Sequence, residues 1–215
     1  MKMNERVAKI LDYLDEYYPH EDKCYLNYTH DYELLFATVL SAQCTDDRVN
    51  IVTESLFKKY TSLEAFANAN LEEFEQDIKP TGFFRNKAKN IIANARMLLS
   101  DYGGIMPSAV EELIKLPGVG RKTANVVRCH IFKIPSVVVD THVGRISRKL
   151  GITKFEDPVK VEFDLMKKLP KKAWIKYNHQ LIAHGRAICK APKPKCEKCF
   201  MQDVCKYYEV EKLKK

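Results

Sequence analysis

Apolar residues recur at intervals of three and four along most of this 215-residue chain, and such spacing predicts helices. The clearest stripe consists of Ala88, Ile91, Ile92, Ala95, Leu98 and Leu99, and similar stripes begin near Val7, Leu34, Val49, Phe163 and Trp174. Proline and glycine interrupt the pattern often, so most helices should be short. The valine run 137–139 alone resembles a strand, and it is too short and solitary to build a sheet. The predicted fold class is therefore all-α.

Composition and charge narrow the possible locations and partners. Hydrophobic residues make up 46% of the chain, and the net charge is +8. No apolar run is long enough to cross a bilayer, and residues 1–6 lack the apolar core of a signal peptide. Because no transit peptide is recognised either, we expect a cytoplasmic, nucleoid-associated protein of a prokaryote. The positive charge suits a polyanionic partner, although a solubilising surface explains it equally well.

Four of the seven cysteines lie close together near the C-terminus with the spacing C-x6-C-x2-C-x5-C. They are Cys189, Cys196, Cys199 and Cys205. Four thiolates can bind a structural zinc ion or hold a [4Fe–4S] cluster, and the spacing alone leaves both open. The loop between the first two is stiffened by proline and carries Lys193 and Lys195, which are candidate phosphate contacts.

A glycine-rich sequence, L-P-G-V-G-R-K-T-A at 116–124, separates two helical patterns. Gly118 and Gly120 are expected to adopt positive φ and to allow close approach of the backbone, with a helix beginning near Arg121. The pattern predicts that the backbone of Gly118, Val119 and Gly120 binds one phosphate. Such a contact would not depend on the base sequence of the DNA. An ordinary turn between helices is the alternative. The neighbouring Arg121 and Lys122 favour a helix-hairpin-helix DNA-binding element.

Two residues are candidates for catalysis. Lys122 lies on the first turn of the predicted helix, where the helix dipole disfavours a cation, and we expect it to be buried. A neutral amine there is a nucleophile for a carbonyl-level carbon such as a sugar C1′, whereas the alternative is a lysine that only binds phosphate. Asp140 follows the valine run and is a candidate helix N-cap. Its carboxylate is also suited to stabilising positive charge on a sugar, and the two roles are compatible.

Together these residues resemble the endonuclease III branch of the helix-hairpin-helix DNA glycosylases. The resemblance covers nearly the whole chain and rests on L-S-A-Q-C-T-D at 40–46, L-P-G-V-G-R-K-T-A-N-V at 116–126, V-D-T-H-V at 139–143, H-G-R at 184–186 and the cysteine spacing. It implies that Lys122 and Asp140 are catalytic and that the four cysteines hold a [4Fe–4S] cluster. It also implies that Gln43 fills the gap left by a flipped base, that Phe83 is a wedge in the opposite strand, and that His142 lies near the lesion pocket.

The same resemblance implies a two-lobed all-α fold with DNA in the groove between the lobes. Residues 24–134 would form a helical bundle with the helix-hairpin-helix, and residues 1–23 with 135–215 the iron–sulfur cluster domain. The expected activity is that of a bifunctional glycosylase and AP lyase of base excision repair. It would remove oxidised or ring-saturated pyrimidines and cleave the strand by β-elimination through a lysine Schiff base. The expected partner is duplex DNA with damaged bases or abasic sites, bound by a monomer away from any membrane.

A non-catalytic DNA-binding or redox-sensing protein on the same scaffold is the alternative function. The presence of both Lys122 and Asp140 argues against it. The adenine-mismatch glycosylases share the cluster but lack the lysine. Cys44, Phe83 and Pro192 differ from the residues common at their positions in the family, and these differences bear on lesion preference while leaving the expected chemistry in place.

Overall fold

A computed structural model describes residues 1–19 and 24–212. Within these ranges the chain forms α-helices and short 3-10 turns and contains no β-strand, which confirms the all-α fold class. The α-helices are α1 (Met3–Tyr17), α2 (Asp31–Leu40), α3 (Asp46–Lys59), α4 (Leu63–Ala67), α5 (Leu71–Asp77), α6 (Phe84–Tyr102), α7 (Val110–Leu113), α8 (Arg121–His130), α9 (Thr141–Leu150), α10 (Pro158–Lys168), α11 (Trp174–Ala187) and α12 (Lys206–Lys212). In this described part, no helix is both long and apolar enough to span a membrane.

The chain folds into two compact units, each with its own hydrophobic core. The first unit combines Met1–Asp22 with Pro135–Lys215 and contains α1 and α9 to α12. The second unit is Lys23–Ile134 and contains α2 to α8. The first unit is therefore discontinuous in sequence, because its N-terminal helix is separated from the rest by the whole second unit.

Helix α6 is the central element of the second unit and packs against α2, α4 and α5. The predicted stripe is buried at Ala88, Ile91, Ile92, Ala95 and Leu98. Beside it, the fully buried ring of Phe66 lies 4.9 Å from that of Phe36 and 5.3 Å from that of Tyr60. Close-packed apolar contacts of this kind fix α6 firmly, and its polar residues then have defined positions relative to the neighbouring loops.

The first unit is built around α1, α9, α10 and α11. The buried residues of α1 are apolar apart from Arg6 and follow the predicted stripe: Val7, Ile10, Leu11 and Leu14. On α11, the fully buried Tyr177 shares a hydrogen bond of 2.9 Å with the Ser147 hydroxyl of α9. Cys189, Cys199 and Cys205 pack against the edge of this core. The cysteine segment is therefore attached to a packed helical scaffold.

The valine run 137–139 builds no sheet in the described part of the chain, as the sequence predicted. Val137 and Val138 are buried, but the run pairs with no strand in the part of the chain that the structure describes. Instead, the Asn178 side chain of α11 donates a hydrogen bond of 3.0 Å to the Val138 carbonyl. A buried carbonyl needs a partner of some kind, and here a side chain supplies it. The valines reflect burial of an extended segment that leads to Asp140.

The turn between α7 and α8 is held by two polar residues of α6. Gly118 has φ 74°, and a Cβ at this position would overlap the Asn90 side chain, lying 2.8 Å from its Cγ. The Asn94 amide donates a hydrogen bond of 2.7 Å to the Pro117 carbonyl. Gly118 therefore has both the positive φ and the close backbone approach that the sequence predicted.

Gly120 differs from the prediction. Its φ is −89°, which any residue adopts, because it serves as the N-cap of α8 with an extended backbone. A Cβ at Gly120 would meet no atom within 4 Å. The fold therefore does not require glycine at this position. The open space beside it is available to a ligand.

Alanine substitutions of these two glycines should differ in their effect on stability. Gly118→Ala combines strained positive φ with a clash against Asn90 and should cost roughly 1–3 kcal/mol of unfolding free energy. Gly120→Ala is the matched control and should leave stability nearly unchanged. Urea unfolding of the purified proteins measures both. Equal losses of unfolding free energy in the two variants would contradict this interpretation of the turn.

Candidate functional site

Lys122 lies on the first turn of α8, two residues after Gly120. The side chain is exposed, so the expected burial is wrong. The reason is geometric: Lys122 is about 200° around the helix from Ala124, which faces the core. Removal of water from this amine must therefore come from a bound partner. Next to it, Val119 is buried, so only its main chain is available to a ligand, and Arg121 is half-buried.

Asp140 is the N-cap of α9, as the sequence predicted. Its Oδ1 accepts a hydrogen bond of 2.8 Å from the Val143 amide. The residue is half-buried. The cap engages one carboxylate oxygen. A carboxylate held in this way has a fixed orientation at the N-terminus of the helix.

His142, two residues further on, belongs to an open, basic cavity of about 690 Å³ in the first unit. The cavity is lined by Thr141, His142, Arg145, Arg148, Gly185, Arg186, Lys190 and Ala191. Partial burial lowers the pKa of His142, and the nearby Arg145 and Arg186 lower it further against the opposing effect of Asp140. The ring is thus neutral at pH 7. One nitrogen, Nδ1, lies 3.3 Å from the Arg145 guanidinium.

Gln43 and Phe83, the two proposed DNA probes, share an unusual backbone. Their φ angles are 54° and 49°, and among the described non-glycine residues only Lys133 is also positive. Both side chains are exposed, with 64% of the Phe83 surface accessible. Positive φ in a bulky residue costs free energy, and such strain is typical of functional positions. Large exposed side chains held this way are suited to entering a DNA helix.

Sequence reasoning missed Lys87. This residue of α6 is 4% exposed, and its Nζ donates hydrogen bonds of 2.8 Å to the carbonyls of Leu40 and Thr81. Burial lowers the pKa of its ammonium group. A signal was present in the sequence, because Lys87 falls on the same helical face as Ile91 and Leu98. A lysine at a position predicted to be buried needs an explanation.

The four clustered cysteines are half-buried and line one cavity in the first unit, together with His184. Arg145 Nη1 lies 3.7 Å from the Cys189 sulfur, and His184 Nε2 lies 3.7 Å from the Cys199 sulfur. No group of three or more histidine, cysteine or acidic residues within the described ranges is arranged to hold a single metal ion. The donor set around the cavity is thiol-rich, which fits a thiolate-ligated iron–sulfur cluster.

Burial sets the protonation of the groups around this cavity. Burial raises the pKa of Cys189 and Cys205, and it raises that of Cys199 to about 11. Burial also lowers the pKa of His184 to about 4, so that its ring is neutral at pH 7. Thiols in such a setting stay protonated unless a strong positive charge compensates the thiolates. A bound metal supplies that charge, because a coordinating thiol loses its proton outright.

The loop between Cys189 and Cys196 presents lysines to solvent. A hydrogen bond of 3.0 Å from the Lys195 amide to the Ile188 carbonyl closes its base. The side chains of Lys193 and Lys195 are exposed. Two prolines limit the freedom of this loop, and the lysines stand beside the cysteine cavity as predicted phosphate contacts.

Comparison with known proteins gives the family. Residues 36–171 match the HhH-GPD superfamily base excision DNA repair proteins. The chain is 48% identical over 202 residues to endonuclease III of Synechocystis sp., covering 94% of this chain and 92% of that protein. It is also 48% identical over 203 residues to endonuclease III of Bacillus subtilis, with the same shares covered.

A solved structure agrees over almost the full length. It is a trapped covalent intermediate of endonuclease III with DNA, in an estranged-adenine complex. Its TM-score with this chain is 0.91 at 43% sequence identity, and the match covers 99% of this chain and 100% of that one. The chain belongs to the endonuclease III family of helix-hairpin-helix base excision repair proteins.

Proposed function

We propose that this chain removes oxidised or ring-saturated pyrimidines from duplex DNA with Lys122 as the attacking amine. The family makes it a base excision repair enzyme, a bifunctional DNA glycosylase and AP lyase. One observation carries the proposal: an exposed primary amine stands at the N-terminal turn of α8, beside the open turn at Gly120. The related endonuclease III forms a covalent intermediate with DNA. Lys122 is our candidate for the equivalent attachment.

The reaction begins with the neutral Lys122 amine. Its lone pair forms a bond to C1′ of the flipped nucleotide as the bond from C1′ to the base breaks, and the departing base takes up a proton. The amine loses a proton, the bond from C1′ to the ring oxygen breaks, and that oxygen takes up a proton, which leaves an iminium at C1′. The iminium acidifies the C2′ hydrogen. Its removal expels the 3′ phosphate, and the strand is cut by β-elimination.

Asp140 is proposed to act on the sugar. Its carboxylate stabilises the positive charge that develops at C1′ and the ring oxygen as the base leaves. It also accepts a proton released from the attacking amine. Because Oδ1 is fixed by the α9 cap, the charge is oriented before substrate arrives. Preorganised charge of this kind is more effective than charge that must reorient during the reaction.

DNA is proposed to contact three groups of residues. The main chain of Gly118, Val119 and Gly120, with Arg121, binds one phosphate without reading a base. Gln43 and Phe83 enter the duplex, where they fill the gap and separate the opposite strand. His142 lies near the flipped lesion, and Lys193 and Lys195 contact the backbone. Because several phosphates are neutralised at once, affinity should depend steeply on salt.

Cys189, Cys196, Cys199 and Cys205 are proposed to hold a [4Fe–4S] cluster. When bound, the cluster cross-links a segment too small to form a core of its own. The surrounding lysine loop keeps its shape through that cross-link. We assign residues 24–134 to the helix-hairpin-helix bundle, and residues 1–23 with 135–215 to the cluster domain. The proposed partner is a lesion-bearing duplex, bound in the cytoplasm by one copy of the chain.

Lys122→Gln should abolish borohydride trapping and strand cleavage together. Glutamine keeps similar length and polarity but has no nucleophilic amine. If Lys122 only binds phosphate, the variant will bind more weakly and will still be trapped. Lys58→Gln, at an exposed lysine of α3, is the control and should be trapped normally. Denaturing gels of the trapped products distinguish the two roles.

Asp140→Asn should bind lesion DNA almost normally and excise the base about 10²–10⁴ times more slowly. Asparagine caps helices about as well as aspartate, so the unfolding free energy should barely change. Single-turnover rates on a duplex with one thymine glycol measure the effect. An asparagine variant within a few-fold of wild type would limit Asp140 to capping.

The purified protein should be brown, with broad absorbance at about 400 nm and about four irons per chain. Metal analysis of an anaerobic preparation measures this. Cys199→Ser should lower the yield of soluble protein. The folded, iron-loaded molecules that remain should keep most of their activity, because Cys199 supports the fold and takes no part in the reaction. Stoichiometric zinc in place of iron would overturn the cluster proposal.

A further inference from the structure

The buried ammonium group of Lys87 joins two loops of the second unit. One acceptor is the carbonyl of Leu40, the last residue of α2, and the other is that of Thr81, which ends the 3-10 turn Lys79–Thr81. Both hydrogen bonds are 2.8 Å long. Each acceptor stands at the C-terminal end of a helical segment, where the backbone dipoles favour a cation. One side chain thus caps two helix ends.

The two carbonyls lie next to the two proposed DNA probes. Gln43 follows Leu40 by three residues, and Phe83 follows Thr81 by two. The main-chain amide of Lys87 also donates a hydrogen bond of 3.2 Å to the Phe83 carbonyl. Lys87 therefore contacts the Phe83 loop through both its backbone and its side chain, and it contacts the Gln43 loop through its side chain.

Burying a lysine is costly, and an apolar side chain would fill the same space at a lower desolvation cost. An apolar residue, however, cannot donate hydrogen bonds to the two carbonyls, which belong to separate loops. The distance in sequence between Lys87 and Leu40 is 47 residues, so the contact is a tertiary one. The lysine therefore contributes a defined geometry between the loops in addition to core packing.

We propose that Lys87 is a positioning residue that fixes the Gln43 and Phe83 loops relative to each other, so that both probes enter DNA as one unit. The inference rests on the proposed DNA roles of Gln43 and Phe83. The new element is that Gln43 and Phe83 enter DNA in one concerted step, and that the buried Lys87, which does not contact DNA, couples them. A small displacement of such groups is costly, since misplacement by about 1 Å can slow catalysis on the order of 10²-fold.

The test is a double-mutant cycle of Gln43→Ala and Phe83→Ala in two backgrounds, wild type and Lys87→Met. Methionine has similar length and no hydrogen-bond donor. The readout is single-turnover excision on a duplex with one thymine glycol. In the wild-type background the two alanine changes should be non-additive by roughly fivefold, since loss of either probe disables a shared step. In the Lys87→Met background, the rate loss of the double alanine variant should equal the product of the two single losses to within about twofold.

Controls separate positioning from general loss of structure. Lys87→Met alone should slow excision about tenfold while binding undamaged duplex normally. Lys87→Gln, whose amide can still donate to a carbonyl, should restore part of the rate. Lys89→Met removes an exposed charge from the same helix and should change excision little. If Lys87→Met folds poorly, the cycle is run in the Lys87→Gln background, where a reduced coupling is expected.

The outcomes distinguish this inference from the proposed function. If Gln43→Ala and Phe83→Ala do not slow excision in the wild-type background, the proposed roles of the probes are wrong. If both slow excision but their coupling is the same in all backgrounds, Lys87 is only a structural residue and the inference is overturned.

Discussion

Three polar residues on one face of α6 hold the loops on which the proposed function depends. Lys87, Asn90 and Asn94 are spaced by three and four residues, so they lie one above another along the helix. Lys87 joins the two probe loops, Asn94 donates to the carbonyl of Pro117, and Asn90 packs against Gly118. Because α6 is itself fixed by its buried apolar face, these loops have little freedom to move independently.

The proposed catalytic groups use helix N-termini in two different ways. Asp140 is stabilised by its position, since an N-cap carboxylate satisfies a free amide and meets the positive end of the dipole. Lys122 gains nothing comparable from the first turn of α8. It is exposed beside an open glycine turn, where folding does not require a lysine. The fold gives no reason for a lysine at this position, which is consistent with its proposed role as the attacking amine.

The sequence predicted those features that depend on local patterns. Three- and four-residue spacing predicted the helices, and the type of residue before α9 predicted the Asp140 cap. Gly118 was recognisable because positive φ and lack of a side chain are properties of glycine itself. The family resemblance, confirmed by the comparisons, identified the candidate catalytic residues that spacing alone could not choose.

The features that the sequence did not predict depend on contacts between distant segments. One of the two partners of Lys87, Leu40, is 47 residues away, and the partner of Asn94 is 23 residues away. Gly120 was expected to need positive φ, yet the direction of the chain into α8 gives it an ordinary extended backbone. The burial expected for Lys122 followed from its proposed chemistry, whereas its actual exposure follows from its angle around the helix.

The covalent bond between Lys122 and DNA is the central step of the proposed mechanism. Its most direct test is to trap the wild-type protein on a thymine glycol duplex with borohydride, digest the protein and the DNA, and locate the sugar remnant by mass spectrometry. We predict that the remnant lies on the peptide that carries Lys122, attached to its Nζ. A remnant on another lysine or on the N-terminal amine of Met1 would contradict the account.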